Sequence, residues 1–172
     1  MLKLIGAVMV FGSCAAFGFL VARQLALRPR QLLQLEQMLR VLETEIVYRS
    51  TPLPFALRHL AERFRGPLAD LFGQAAANLE EMDGADNRLC WERAVQQYRG
   101  ALALKEGDWA ILLELAATLG RSDRLHQQRH IAAACAHLRA EEAIAREDQR
   151  RYEKMAKSLG VLTGLLVVLL MY

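Results

Sequence analysis

Two charge-free apolar runs, one at each end, constrain this chain more than any other feature. From Leu4 to Ala22 no residue is charged. That is about 19 residues, close to the ~20 a helix needs to cross hydrocarbon. The second run, Ser158 to Tyr172, is about 15 residues, at the lower margin for a full crossing. It reaches across by thinning the bilayer locally or by letting Lys154 and Lys157 extend their stems toward headgroups. Nearly all the charge lies between the runs.

The basic residues orient the two spans. Arg23, Arg28 and Arg30 follow the first, and Arg150, Arg151, Lys154 and Lys157 precede the second. Outside them stands only Lys3. Lysine and arginine stay on the cytoplasmic side, so the middle is expected in the cytoplasm with both termini across the membrane. A cleaved signal peptide fits poorly, because the first run is too long. Gly12-Ser13-Cys14 resembles a lipidation box loosely, but Phe11 suits it badly and the apolar run continues past the cysteine. The expected organisation is an N-terminal transmembrane helix over 1–27, a cytoplasmic helical domain over 28–157 and a C-terminal transmembrane helix over 158–172. Gly160 and Gly164 make a G-x-x-x-G step, a candidate site for close helix packing in lipid.

The middle reads as all-α. Its prolines end at Pro67, and Leu, Ala, Glu, Gln and Arg dominate it. Leu32, Leu35, Leu39, Leu42 and Ile46 form a heptad seam on a helix from about Arg30 to Arg49, with Glu36, Gln37, Arg40, Glu43 and Glu45 expected off it. Under three heptads favour a seam inside a bundle over a free-standing coiled coil. Thr51-Pro52, Gly66-Pro67, the 83–87 turn and Gly120 punctuate the rest. Leu57 and Leu60, then Leu71 and Phe72, then Trp91 and Val95, then Trp109 and Leu112 mark successive buried faces. Asp108 is expected to cap the fifth helix, and Ser122 or Asp123 to open a last helix running unbroken into the second apolar run. The fold class is thus a bundle of about six helices flanked by two transmembrane helices.

Little carries chemistry. The net charge of +3 comes without a basic block or interleaved aromatics, so no nucleic-acid partner is expected. Three separated cysteines fit a reducing compartment, not a disulfide framework. No nucleotide, hydrolase or zinc-protease motif is present, so the chain reads as no enzyme and no cofactor is expected. Energy for any transport would come from a partner. His126, His130, His137 and Glu141 fall on one strip of the last helix. Imidazoles a turn apart can share a metal, but the adjoining apolar stripe of Ile131, Ala134, Cys135, Leu138 and Ala145 favours a structural rim. A metal-binding sensor using His126, His130 and His137 is the alternative reading. The charged residues Arg139, Glu141, Glu142 and Arg146 are candidate partner contacts, weighed against a solvated helix face.

Four stretches resemble one family. They are the opening Met1-Leu2-Lys3-Leu4-Ile5-Gly6-Ala7; Arg28-Pro29 with Leu42-Glu43-Thr44-Glu45-Ile46-Val47-Tyr48 leading into Thr51-Pro52-Leu53; Leu119 to His130-Ile131; and Tyr152 to Gly160. Together they are similar to the stage III sporulation protein AB family of endospore-forming bacteria. The resemblance implies a subunit of a channel across the two membranes around the developing spore. It implies a place in the mother-cell membrane facing the forespore, with the main domain cytoplasmic. It further implies likeness in part to the inner-membrane platform proteins of type II secretion and type IV pili. The expected partners are membrane lipid, a cytoplasmic ATPase (the AA component), other channel subunits and further copies of the chain. The family brings no catalytic residue.

Overall fold

Leucine- and glutamine-rich sequence with no proline between Pro29 and Pro52 makes a long first helix. In a computed structural model the backbone is described over residues 26–81, 86–120 and 123–171, and side chains as far as residue 155 apart from 153. Every regular element among the described residues is helical. The first helix, α1, spans 26–43 and passes into a π-helical turn at Thr44–Tyr48. It is followed by α2 (Leu53–Arg63), α3 (Pro67–Glu81), α4 (Asn87–Tyr98), α5 (Glu106–Thr118) and α6 (Arg124–Met171). Helix α2 packs on α3, α3 on α4, and α4 on α5. Arg28–Ala143 forms one compact unit, and Ile144 onward belongs to a second with the chain before Arg28.

Among the described residues no helix is long and apolar enough to cross a membrane. The first apolar run lies outside the described residues. The backbone of 158–171 is part of α6, but its side chains, with Gly160 and Gly164, also lie outside them.

The α1 seam is the spine of the core. Leu32, Leu35, Leu39 and Leu42 are at most 1% exposed, and Ile46 is buried too. The buried stripe is wider than the seam, because α1 meets neighbours on both flanks. Met38 joins it, and so do Glu36 and Glu45, which the heptad pattern had placed off the seam. Glu45 turns inward because the π-turn inserts a residue. The Arg49 N–H bonds to the Thr44 carbonyl at 3.2 Å, five residues back. The β-branched Thr44, Ile46 and Val47 weaken the α-helix there. The Glu45 carboxylate then accepts from Arg49 Nη1 at 2.9 Å and Thr51 Oγ1 at 3.0 Å, tying α1 to the start of α2.

Ser50 closes this connection with φ of +57°. A side chain in that region costs about 1–2 kcal/mol. Ser50→Gly is therefore expected to stabilise the domain by up to about 1 kcal/mol, read as a higher urea midpoint with unchanged m-value. An unchanged or lower midpoint would show that the serine carries no strain.

Two glycines do require their freedom. Gly66 (φ +96°) turns the chain between α2 and α3, and Gly120 (φ +77°) ends α5 beside Asn87, whose Nδ2 donates to the Leu119 carbonyl. Two boundary expectations shift. Asp108 is the third residue of α5 and not its N-cap, and it caps the helix from there by accepting the Lys105 N–H. α4 stops at Tyr98, leaving Leu102 buried in an extended linker. As expected, α6 begins at Arg124, with Asp123 Oδ1 accepting the His126 N–H at 3.0 Å. The predicted stripe of Ile131, Ala134, Cys135, Leu138 and Ala145 is buried throughout.

Candidate functional site: ion pairs joining α1, α5 and α6

Arg28 occupies the seam position one turn before Leu32, where heptad spacing calls for an apolar residue. It is 7% exposed. Its Nε donates to Asp108 Oδ2 at 2.9 Å and its Nη2 to Asp108 Oδ1 at 2.8 Å. The same Nη2 donates to Glu141 Oε2 at 2.7 Å. This is the two-pronged guanidinium–carboxylate geometry that makes the strong form of such a pair. Burial opposes the charge on Arg28, but the bonds to Asp108 and Glu141 outweigh it and raise its pKa.

Asp108 has no exposure at all. Besides Arg28 it accepts the Lys105 N–H at 2.8 Å, satisfying a donor at the start of α5. A second cluster lies along the same α1–α6 contact. Glu36 Oε1 accepts from Arg40 Nε at 2.9 Å and Arg139 Nε at 2.6 Å. Cys135 sits beside it on α6, and burial pushes its thiol up to about 11, so it is unreactive at neutral pH.

Of the four residues read as partner contacts, Arg139 and Glu141 are thus bonded to residues of α1. Both still show part of their side chains to solvent. Glu142 is half-buried, and Arg146 is exposed in the second unit. The helical wheel found the right strip but could not show that α1 lies against its edge. Sequence reasoning assigned Arg28 to the membrane flank and Asp108 to a cap. The signal that could have joined them was a charged residue standing on the apolar seam.

The histidine strip does not converge. His126 Nδ1 lies 2.6 Å from Asp123 Oδ1 at the head of α6. His130 and His137 flank a shallow hollow with Glu114 and Leu115. Among the described residues no group of three or more His, Cys, Asp or Glu is placed to hold a metal ion. The metal-site reading of His126, His130 and His137 is corrected accordingly. Helical spacing aligned them, but His126 turns to Asp123 while His130 and His137 border the hollow beside Glu114.

The family model described as "Stage III sporulation protein AB" matches residues 3–172. The chain belongs to that family. It is 40% identical over 172 residues to the stage III sporulation protein AB of Bacillus subtilis (strain 168), covering 99% of each chain. It is also similar to a solved structure of stage III sporulation protein AB, with a TM-score of 0.67 and 35% identity. That likeness covers 73% of this chain and 98% of the other. This is a sporulation protein family, and the helical domain is the fold this chain shares with the solved structure.

Proposed function

We propose that the chain is a membrane-anchored platform subunit of the sporulation transenvelope channel. Its two apolar ends sit in the mother-cell membrane facing the forespore. Its helical domain lies in the cytoplasm and docks the ATPase of the same assembly, the AA component, coupling it to the channel. The chain supplies positioning and its partner the energy.

The observation that carries this reading is the Arg28–Glu141 bond. Arg28 is the first residue of the compact domain and Glu141 lies two before its end. The two points where the chain leaves the domain are therefore side by side. Two hydrophobic segments departing from one place suit one membrane, with the domain on a single side of it. Arg28 and Asp108 also tie those exits to the head of α5. Docking is assigned to the solvent-facing parts of Arg139, Glu141, Glu142 and Arg146 on α6.

The test is made in sporulating cells with tagged full-length protein. It is expected to sediment with membranes, to resist alkaline carbonate and to co-purify the ATPase. Glu142→Lys combined with Arg146→Glu is expected to lose that capture while melting at the parental temperature. Extraction by carbonate would defeat the anchoring, and undiminished capture would defeat the docking assignment.

A further inference from the structure

The domain presents an amphiphilic face at the head of α1 that its ion pairs leave unused. On α1, Arg30, Leu33, Gln34 and Gln37 share an arc of about 100°. Gln34 Nε2 donates to the Arg65 carbonyl at 3.0 Å, drawing the α2–α3 turn against this arc. Gly66, with φ of +96°, bends that turn. Arg30, Arg63 and Arg65 are all exposed, and Leu33 among them is 39% exposed.

The charge on this face is unpaired among the described residues. Arg28, Arg40, Arg49, Arg58, Arg88, Arg99 and Arg139 each meet a carboxylate. Arg30, Arg63 and Arg65 form no ion pair among the described residues. The acids nearest Arg63 and Arg65 in sequence are Glu62, near the end of α2, and Asp70, in the first turn of α3; both are exposed. Exposed cations around an exposed leucine fit a surface that is anionic outside and apolar beneath.

We infer that the face formed by Arg30, Leu33, Arg63 and Arg65 rests on anionic phospholipid headgroups. The inference rests on the anchored reading above. Arg30 follows Ala22, the end of the first apolar run, by about eight residues. Residues 26–30 are already helical, so even with the rest extended that link spans at most about 20 Å. The negative leaflet surface therefore lies within reach of this face once the run is embedded. Each arginine near such a surface strengthens attachment by roughly fivefold, falling off within a Debye length of about 10 Å at 0.1 M salt.

The test uses the full chain in lipid nanodiscs carrying a headgroup-region quencher. A bimane label is placed at Leu33→Cys in a Cys14→Ser background, where Cys90 and Cys135 are buried. Expected is strong quenching in discs containing phosphatidylglycerol and weak quenching in pure phosphatidylcholine. Quenching should fall in 0.5 M salt and in the Arg30→Gln/Arg63→Gln/Arg65→Gln variant, with a label at Gln96→Cys on α4 staying bright. Equal quenching with and without anionic lipid, or with and without the arginines, would overturn the inference. So would a bright Leu33 label in a chain stably held in the discs, a result that leaves the anchoring intact. A chain that never enters discs overturns both readings.

Discussion

Arg28→Met is expected to destabilise the helical domain by about 3–5 kcal/mol. The measurement is urea denaturation followed through the fluorescence of the buried Trp91 and Trp109. The reason is the carboxylate left behind. Asp108 is fully buried and Arg28 is its only ion-pair partner among the described residues. Removing the guanidinium strands a charge in a low dielectric, whereas removing both charges does not. Arg28→Met with Asp108→Asn is therefore expected to recover most of the loss, since asparagine can still accept the Lys105 N–H. Glu141→Gln alone should cost far less, because that side chain is 37% exposed and solvent screens it. A loss under about 1 kcal/mol for Arg28→Met would mean that the pair is relaxed into solvent, and the clamp at the domain exits would not exist.

The second large effect is expected at Trp91. Trp91 on α4 and Phe72 on α3 are both fully buried and meet edge to face, with centroids 5.0 Å apart and an interplanar angle of 87°. Trp91→Ala is expected to cost about 3–5 kcal/mol, since bundle neighbours close only partly over so large a void. Trp109 fluorescence reports the transition in that variant. A double-mutant cycle with Phe72→Leu should return a coupling of about 0.5–1.5 kcal/mol, the part owed to ring geometry beyond area. A coupling near zero would show the two rings to be independent filler. The cost should appear as one cooperative transition, because α3 and α4 belong to the same compact unit as α1 and α5.

These two sites mark where sequence reading succeeded and where it stopped. Trp91 and Phe72 stood at helical spacing among apolar neighbours, and both are core residues. The α1 seam and the α6 stripe were equally legible, since a 3.6-residue period projects directly onto a buried face. Glu45 was not legible. Its burial depends on a π-turn, a one-residue change in register that no apolar pattern announces. Glu36 was missed for a different reason: α1 is flanked on two sides, so its buried arc is wider than a two-helix seam.

The candidate site divides in the same way. Arg139 and Glu141 were picked out as charged residues on the strip of α6, and Arg28 as part of a basic flank. Their joint role required knowing that residues 80 and 113 positions apart come into contact.

By itself, then, the sequence determined an all-helical middle, its helix breaks and its main apolar faces, because these follow from local spacing and turn chemistry. It also carried the family, through the run from Leu42 to Leu53. Only the tertiary structure decided which charged residues are spent inside the domain and which remain outside. An ion pair's partner is set by how helices pack, and a charge reads the same in sequence whether a buried carboxylate or water receives it.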